Sequence, residues 1–410
     1  MTTGWRHSSW GGEISLEYGK AIRGYHNAEA PFRVFGSNGP IGWTDTALTD
    51  GPGIILGRKG AYRGVHFSHD PFSVIDTAYF VKPKVDADMR WLYYAIIYHK
   101  LGEIDDGSPI PSTTRAAVYV QDLEVPPVPE QRAIAQILGA LDDKIDLNRR
   151  MNETLEAMAR ALFKDWFVDF GPTRAKAEGR DPYLAPELWN LFPDALDDER
   201  KPVGWERKPL DEVADFLNGL ALQKFPASDP EDSLSVIKIA ELRGGVTAKS
   251  NRASYELPEK YIVTDGDFLF SWSGSLMAKF WTGGEGALNQ HLFKVTSDRY
   301  PAWFFSQWVY HHLKEFQAIA ASKATTMGHI QRWHLKEAMA TCPPDDVLSI
   351  LGQMVGPLVK HAIKNELETR KLAQTRDLLL PKLMSGEIRL RNVEKAMEAV
   401  VEEGNEGAII

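Results

Sequence analysis

The feature that most constrains the fold is an internal repeat, because a chain in which one sequence pattern occurs twice is expected to fold into two similar parts. When the 410-residue sequence is shifted by 217 positions, the two copies coincide without a gap downstream of Pro126. The coinciding pairs are Pro126/Pro343, Pro127/Pro344, Gly139/Gly356, Leu141/Leu358, Asn148/Asn365, Leu155/Leu372 and Leu162/Leu379. The sequence therefore predicts a mixed region of about 130 residues followed by a long helix, used twice.

The mixed regions align only with small gaps, and their segments favour an α+β fold. The segments that align between the two copies are 50–60 with 265–274, 76–81 with 290–295, and 111–115 with 323–328. Most are short, rich in β-forming residues and punctuated by glycine and proline, as strands are. The stretches 88–102 and 301–316 carry broad aromatic-aliphatic faces, which predicts one helix in each copy.

Each copy ends in a stretch whose seam positions recur at spacings of three and four, a seven-residue repeat typical of a coiled coil. In the first copy these positions are Ile134, Ile137, Leu141, Lys144, Asn148, Met151, Leu155, Met158 and Leu162. In the second they are Leu351, Met354, Leu358, His361, Asn365, Glu368, Leu372, Thr375 and Leu379. Pro357 is expected to kink or restart the second helix, because proline removes an interior helix hydrogen bond.

Two helices that each carry an apolar seam can bury these seams against each other, which predicts an antiparallel pair. Asn148 is expected to face Asn365, since a buried asparagine pair costs stability but fixes the register of a coiled coil. Leu141 would then lie near Leu372, and Leu155 near Leu358. The predicted seam residues are Leu141, Asn148, Leu155, Leu358, Asn365 and Leu372. The alternative is that each helix packs only on its own domain.

Composition narrows the class of protein without naming a function. The single cysteine, Cys342, excludes an internal disulfide framework and a cysteine-based metal cage, which fits a cytoplasmic protein. No apolar stretch is long enough to span a bilayer, so no membrane partner is expected. The net charge of −9 does not favour nucleic acid, but residues 1–128 (12 basic, 14 acidic) and 205–342 (15 and 16) are nearly neutral. Either region can therefore still carry a basic face.

No catalytic or metal-binding set is found in the sequence. The spacing of Asp142 and Lys144 is nuclease-like, but both lie on the coiled-coil helix, which favours a structural role. The histidines show no metal-ligand spacing, so neither a metal nor a cofactor is expected in this chain. The glycine-rich loop for adenosylmethionine and the Asn-Pro-Pro-aromatic segment of an amino-methyltransferase are both missing from the sequence.

Glycine-flanked polar loops recur in both copies, and their side chains can reach phosphates and base edges. Any one of them could be an ordinary turn, and the recurrence is what favours DNA binding. Arg58 would favour guanine, and Asn38 or Gln290 would favour adenine. The candidate DNA-binding residues are Ser37, Asn38, Gly39, Arg58, Lys59, Thr77, Ser112, Thr113, Arg115, Lys224, Ser271, Trp272, Ser273, Asn289, Gln290, His291, Lys323, Thr325, Thr326 and His329.

The chain resembles a known family over nearly its whole length. Residues 125–172 resemble the central conserved helix of the specificity (S) subunit of Type I restriction-modification systems. Residues 375–390 ("TRDLLLPKLMSGEIRL") resemble the end of that family's distal helix. The segments "FRVFGSNG" (32–39) and "GPGIILGRKG" (51–60) resemble its target-recognition domains.

The resemblance implies an α+β fold with two globular target-recognition domains, separated by an antiparallel coiled coil of two long helices in a pseudo-two-fold internal repeat. Each domain would read one half of a split site in double-stranded DNA, and the helices would act as a spacer. Such a subunit is not catalytic. It recruits two modification (methyltransferase) subunits, which hold S-adenosylmethionine, and then restriction subunits that translocate and cut DNA.

The expected segments follow the repeat. They are 1–128 (first target-recognition domain), 129–170 (central helix), 171–204 (linker), 205–342 (second target-recognition domain), 343–392 (distal helix) and 393–410 (acidic tail). The aromatic tip of the central helix, with Phe163, Trp166 and Phe167, is expected to have a shared role. It would dock on the second domain and also contact a modification subunit, because an exposed apolar patch usually marks an interface.

Two other functions stay open on sequence grounds. One is a scaffold that carries two protein- or carbohydrate-binding modules on a coiled coil. The other is a self-sufficient methyltransferase or nuclease.

Overall fold

The computed structural model describes residues 4–25, 29–105, 107, 109–229, 231–322 and 328–390. The chain divides into two compact units. Unit 1 comprises residues 1–144 and 372–410, and unit 2 comprises residues 145–371. Each long helix contributes one segment to each unit, whereas the predicted segments set the helices apart from the two domains. The predicted acidic tail, 393–410, lies outside the described residues.

Unit 1 contains three small sheets among its described residues. Its strands are β1 (Arg6–Ser9), β2 (Ile14–Tyr18), β3 (Phe32–Gly36), β4 (Gly39–Thr44), β5 (Gly53–Gly57), β6 (Val65–Ser68), β7 (Phe72–Val74), β8 (Ala78–Pro83) and β9 (Asp122–Val125). The largest sheet is antiparallel, with strand order β2-β8-β5-β6. A second has the order β4-β3-β7, in which β3 and β7 are parallel. Strands β1 and β9 form an antiparallel pair.

Unit 2 repeats this topology. Its strands are β10 (Glu206–Pro209), β11 (Asp215–Asn218), β12 (Leu234–Ile237), β13 (Arg252–Ala253), β14 (Ile262–Val263), β15 (Phe268–Ser271), β16 (Ala278–Phe280), β17 (Gly286–Leu288), β18 (Leu292–Thr296) and β19 (Met339–Cys342). The order β11-β18-β15-β16 matches β2-β8-β5-β6, and the parallel pair β12–β17 matches β3–β7. The antiparallel pair β10–β19 matches β1–β9. The repeat seen in the sequence is therefore present in the fold.

The helices follow the same repeat. The described α-helices of unit 1 outside the long helices are Trp10–Glu13, Met89–Tyr98 and Arg115–Tyr119, and those of unit 2 are Gly171–Ala177, Pro186–Trp189, Leu210–Val213, Ile239–Gly244, Ala302–Ser322 and Arg332–Glu337. Short 3-10 turns lie at Leu101–Glu103, Leu222–Lys224 and Glu259–Tyr261. Among the described residues, none of the helices is both long and apolar enough to cross a membrane.

The first long helix spans Val128–Phe163 and continues into a π-helical turn at Lys164–Val168; the second spans Asp345–Met384. Both are shorter than the predicted segments 129–170 and 343–392. The second runs through Pro357 without interruption, so the expected restart there is wrong. The predicted linker, 171–204, is partly helical.

Local sequence explains how each mixed region forms its main helix. The side chain of Asp88 accepts hydrogen bonds from the backbone N–H groups of Arg90 and Trp91, which caps the helix Met89–Tyr98. Trp91 and the helix residues one turn later are buried in the core of unit 1. Ala302–Ser322 is the counterpart in unit 2, and its aromatic face forms much of that unit's core.

The aromatic tip of the first long helix belongs to the core of unit 2. Phe163, Trp166 and Phe167 are each at most 3% exposed. The Phe167 ring lies 5.4 Å from the ring of Phe304 and 5.7 Å from the ring of Trp205, measured between ring centres. The tip therefore docks on the domain that follows it in the chain, which was one half of the predicted shared role. The other half, a contact with a modification subunit, is wrong for these three side chains, because they are buried.

The buried face of each long helix agrees with the predicted seam at alternate seam positions. At the positions between them, the buried residue is the one that follows the predicted residue. Ile145, Asn152 and Ala159 are buried, whereas Met158, a predicted seam residue, is 48% exposed. On the second helix, Val355 is buried and the predicted Met354 is exposed. The six seam residues named above occupy the positions at which both patterns agree.

Candidate functional site

Five of the predicted residues in unit 1 lie together where the ends of β5 and β8 meet the β3–β4 turn. The backbone N–H of Arg58 donates to the carbonyl of Thr77 at 2.9 Å. Ser37 donates its hydroxyl hydrogen to the same carbonyl and accepts from the Lys59 N–H at 3.2 Å. Lys59 also forms a β-bridge with Ser112. The long loops of unit 1 are thereby joined at one polar site.

An aromatic platform lies beside this site. The guanidinium carbon of Arg115 is 4.1 Å from the centre of the Tyr18 ring, and that of Arg58 is 4.8 Å from it. Tyr18 is 46% exposed, and its ring is 5.1 Å from that of buried Tyr79. Burial, with a hydrogen bond to Tyr18, raises the pKa of Tyr79 to about 12, so this phenol stays neutral. Two cations stacked on a neutral aromatic pair retain N–H donors for an anion or a base edge.

Three other residues predicted in unit 1 differ in exposure. Asn38 is exposed in the turn between β3 and β4. Gly39 is buried, and its φ of +116° explains the glycine. Thr113 is fully buried; its hydroxyl donates to the Ile104 carbonyl at 3.0 Å and accepts from Arg63 Nε at 3.0 Å. Gly39 and Thr113 therefore hold the loops in place, and the predicted DNA contact is wrong for both.

The second site lies in unit 2 around Trp272. The indole N–H of Trp272 donates to Asn218 Oδ1 at 2.8 Å and to the Gln290 carbonyl at 3.1 Å. The His291 ring lies 5.9 Å from the Trp272 ring, and the His329 ring lies 6.4 Å from it. Four of the predicted residues in unit 2 are thus brought together, and all four are partly exposed.

Three further predicted residues are buried beside this site and hold its backbone and side chains in place. Ser271 is fully buried, donates to the Ser275 carbonyl at 2.8 Å and accepts from the Met277 N–H. Ser273 is buried and its hydroxyl is 2.9 Å from His291 Nδ1, and buried Asn289 accepts from the His291 N–H at 3.3 Å. Their burial contradicts the predicted direct contacts with DNA.

The remaining predictions in unit 2 lie elsewhere. Lys224 is exposed on the 3-10 turn Leu222–Lys224. Lys323, Thr325 and Thr326 lie outside the described residues. Within the part of the chain that the structure describes, no three His, Cys, Asp or Glu side chains are grouped as metal ligands.

The two sites occupy equivalent positions, as their backbone hydrogen bonds demonstrate. The Arg58 N–H donates to the Thr77 carbonyl, and the Trp272 N–H donates to the His291 carbonyl. Two more backbone hydrogen bonds of each site follow the same pattern. The matching pairs are Gly60 N to Pro111 O and Gly274 N to Gly328 O, and Thr113 N to Arg58 O and Ile330 N to Trp272 O, all between 2.8 and 3.0 Å.

This pattern corrects the predicted alignment of the last loop. Residues 111–115 correspond to 328–332, not to 323–328. Arg332, which the sequence analysis missed, is therefore the counterpart of Arg115. The backbone hydrogen bonds show that the ungapped shift of 217 residues extends upstream from Pro126 to Pro111. Residue identity between the copies is little sign of it, because Arg115/Arg332 is the one identical pair in that stretch. Tyr18 was also missed, since it lies on a strand that is distant in sequence from the glycine-flanked loops.

Three asparagines form the polar part of the seam inside unit 2. Asn148 Nδ2 donates to Glu368 Oε2 at 2.9 Å and, at 3.5 Å, to the carbonyl of Asn365. Asn365 Nδ2 donates to Asn152 Oδ1 at 2.9 Å, and Asn152 Nδ2 donates to the Ala362 carbonyl at 3.0 Å. The helix segments of unit 2 are therefore antiparallel, with Asn148 beside Asn365.

The other predicted seam pairs are less closely defined. Leu155 and Leu358 line the same small cavity in unit 2. Leu141 and Leu372 are half-buried in unit 1. Nearby, Asp142 accepts hydrogen bonds from the Tyr94 hydroxyl at 2.6 Å and from Arg376 at 2.7 Å, which fits the structural role expected for it.

Comparisons with known proteins agree with this repeated architecture. The family described as the Type I restriction modification DNA specificity domain matches residues 23–157 and again residues 202–369. The MjaIX specificity subunit of Methanocaldococcus jannaschii is 25% identical, over 94% of this chain and 89% of that protein. The HindI specificity subunit of Haemophilus influenzae is 26% identical, over 71% of this chain and 74% of that protein.

A solved structure shares the fold. The S subunit of a Type I restriction-modification system from M. genitalium superimposes with a TM-score of 0.59 at 15% identity, covering 93% of this chain and 96% of that one. The family match covers both copies of the repeat and most of the chain. The chain therefore belongs to the family of Type I restriction modification DNA specificity domains.

Proposed function

We propose that this chain is the sequence-specific DNA recognition subunit of a Type I restriction-modification complex. Each mixed domain reads one half of a bipartite site in double-stranded DNA. One observation carries the proposal: the specificity-domain family matches the chain twice, and each copy holds a polar site at the same structural position. Side chains in such sites can contact phosphates and base edges.

The paired helices set the length of the unread gap between the half-sites. The buried Asn148, Asn152 and Asn365 support this role, because each makes hydrogen bonds across the seam that depend on the observed register of the helices. A fixed register holds the helical segments at a fixed stagger. A stiff spacer of this kind selects a gap of one length.

The chain does not catalyse methyl transfer or cleavage itself. Two modification subunits bind it, hold S-adenosylmethionine and methylate adenine, and restriction subunits that translocate and cut DNA join that complex. The names of the relatives support this division of labour, since they are specificity subunits of restriction enzymes. The contact with the modification subunits uses residues other than Phe163, Trp166 and Phe167, which are buried.

Mapping of methylated adenines in the host genome tests the proposal. Strains with the intact gene, with a deletion and with a restored copy are compared. The expected result is one motif of two short half-sites, with a gap of constant length, whose methylation is lost in the deletion strain and regained on restoration. A methylation pattern that does not change, or a motif without a gap, would contradict the proposal.

The catalytic part of the proposal has a separate test. The purified chain is incubated with labelled S-adenosylmethionine and genomic DNA, with and without the modification subunits. Label is expected in DNA only when the modification subunits are present. Transfer by the chain alone would show that it is a methyltransferase in its own right.

A further inference from the structure

We propose that Arg115 and Arg332 bind DNA phosphates in the same way in the two domains. We further propose that the pair Tyr18–Arg58 in one domain and the pair Asn218–Trp272 in the other determine which half-site each domain reads. This inference rests on the proposed DNA-binding function and assigns separate roles to its residues.

The first step is that these residues occupy equivalent positions. Tyr18 pairs with Tyr79 across β2 and β8, and Asn218 pairs with Phe293 across β11 and β18. Each is followed by a glycine whose N–H bonds the neighbouring strand, Gly19 to the Ala78 carbonyl and Gly219 to the Leu292 carbonyl. The backbone therefore places position 18 of one domain and position 218 of the other at the same point of the same sheet.

The second step concerns the arginines, which stack on equivalent aromatic residues in both domains. Their other neighbours differ, since a carboxylate oxygen of Glu17 lies 3.8 Å from Nη2 of Arg115. Arg115 begins the short helix that follows Thr114, and Arg332 begins the one that follows Gln331. The guanidinium carbon of Arg115 lies 5.9 Å from the Tyr79 ring centre, and that of Arg332 lies 5.5 Å from the Phe293 ring centre. The same side chain therefore stacks on the aromatic residue at the same strand position in each domain.

A residue type that both domains share at one position suits a ligand that both half-sites share. The phosphate backbone is that ligand, because it is the same in every sequence. Arginine has five N–H donors in a planar fork that matches a phosphate. Arg332 is exposed, and the one hydrogen bond that its side chain makes among the described residues is from Nη2 to the Phe216 carbonyl, at 3.0 Å. The stacked ring holds the guanidinium ready for this contact.

The third step concerns the neighbouring pair, whose chemistry differs between the domains. In unit 1, Arg58 stacks on Tyr18, and its described side-chain hydrogen bond is from Nη1 to the Asp76 carbonyl, at 3.0 Å. In unit 2, Trp272 occupies the place of Arg58, and its N–H is taken up by Asn218 and the Gln290 carbonyl. Arg58 can donate to guanine O6 and N7, whereas the Trp272 ring offers an apolar face to a base.

Different side chains at one structural position give the two domains different base preferences. The shared arginines give affinity that is independent of sequence, and the pairs that differ give discrimination. The two roles predict different experimental signatures, because phosphate contacts respond to salt and base contacts respond to sequence.

The test uses the full chain in complex with its modification subunits. The probe is a fluorescent duplex that carries the bipartite site found by methylation mapping, and the reference is a duplex with both half-sites scrambled. Further duplexes carry single base-pair changes in either the first or the second half-site. Dissociation constants are measured over a series of salt concentrations for R115A, R332A, R58A and W272A. The conservative variants are R115K and W272F, and K249A, which removes an exposed lysine outside both sites, is the matched control for charge.

R115A and R332A are each expected to weaken binding to both duplexes by the same factor and to lower the slope of log K against log salt by about 1. R115K retains the slope, and K249A changes neither slope nor discrimination. R58A is expected to lose about tenfold to hundredfold of the discrimination at one base pair of one half-site. W272A loses discrimination in the other half-site, and W272F retains it.

The outcomes separate this inference from the function on which it rests. If the wild-type complex does not distinguish the specific from the scrambled duplex, the proposed function itself fails. If the wild type discriminates but R115A and R332A leave the salt slope unchanged, the phosphate assignment is overturned. If R58A and W272A affect the same half-site, or neither, the specificity assignment is overturned. Thermal unfolding of each variant establishes that a loss of binding is not a loss of folding.

Discussion

At the scale of single residues, buried amides define how the long helices pair. Asn148, Asn152 and Asn365 are each less than 7% exposed and exchange hydrogen bonds with one another or with the facing helix. Burying an amide without a partner costs free energy, so a register in which these amides lose their partners is disfavoured. A purely apolar seam can pair at several registers, whereas a shift of this one breaks the hydrogen bonds that its amide groups make across the seam.

Replacement of Asn365 by alanine tests this role. N365A removes the donor to Asn152 Oδ1 and leaves that oxygen buried without its partner. We expect the free energy of unfolding to fall by about 1–3 kcal/mol. Urea unfolding followed by circular dichroism measures it, with K364A on the exposed face of the same helix as the control. Equal midpoints for N365A and K364A would show that the amide contributes nothing.

A partly buried histidine predicts how stability depends on pH. Burial lowers the pKa of His66 from its ordinary value of 6.5, because the folded protein disfavours the charged ring. The unfolded chain therefore binds a proton more readily, and this residue makes the protein less stable as the pH falls through about 6.5 and below. H66N is expected to lose less stability than the wild type between pH 7.5 and pH 5.5, in thermal unfolding at each pH. An unchanged pH dependence would contradict this.

At the scale of elements, one glycine in each domain lets the chain pass close to the parallel strand pair. A Cβ atom at Gly19 would lie 2.1 Å from the Ile75 carbonyl oxygen, and one at Gly219 would lie 2.3 Å from the Asn289 carbonyl oxygen. Backbone atoms cannot move aside as the end of a flexible side chain can. Both copies of the repeat therefore have a glycine at the point where a side chain would collide with the backbone.

Alanine substitutions at these glycines are expected to destabilise their domains. G19A and G219A each overpack a site next to backbone, for which we expect a cost of about 1–3 kcal/mol. G244A is the control, since nothing lies within 4 Å of its Cβ and the residue ends a helix. We expect it to be neutral or slightly stabilising. If thermal unfolding gives the three variants the same midpoint, the close approach is not real.

The aromatic tip of the first long helix leads to a prediction of the same kind. Phe167 is fully buried in the core of unit 2, so F167A is expected to cost about 3–5 kcal/mol. M158A, earlier on the same helix and on its exposed face, is expected to change stability by less than about 0.5 kcal/mol. Limited proteolysis and thermal unfolding report the difference. A stable F167A variant that fails to bind modification subunits would restore the interface that the structure rejects.

Sequence periodicity predicted which elements would form but not every side chain that they bury. The seam positions Leu141, Asn148 and Leu155 were found because every seventh residue keeps nearly the same face. The positions between them allow two choices one residue apart, and the sequence favoured apolar Met158 over small Ala159. The structure buries Ala159, because the seam there must also pack against the bulky domain core.

At the scale of the whole molecule, one fold used twice carries two different sites. The repeat and the α+β class were predicted from the sequence, and the repeat implies that both domains share one strand order. The strand order itself came from the structure. Burial within the loops could not: Thr113 and Ser271 look like surface hydroxyls in sequence, yet both are fully buried. Arg332 was missed for a different reason, since a gap was allowed where the ungapped repeat continues. Matching chemistry is a weaker guide to equivalence than matching backbone.

The central claim is that each domain reads one half of a divided DNA site, and methylation of designed duplexes tests it most directly. The complex of this chain with its modification subunits is given duplexes in which the first half-site, the second half-site or the bases of the gap are scrambled. We expect scrambling either half-site to abolish methylation and scrambling the gap at constant length to leave it unchanged. Full methylation of a duplex that retains a single half-site would contradict the account.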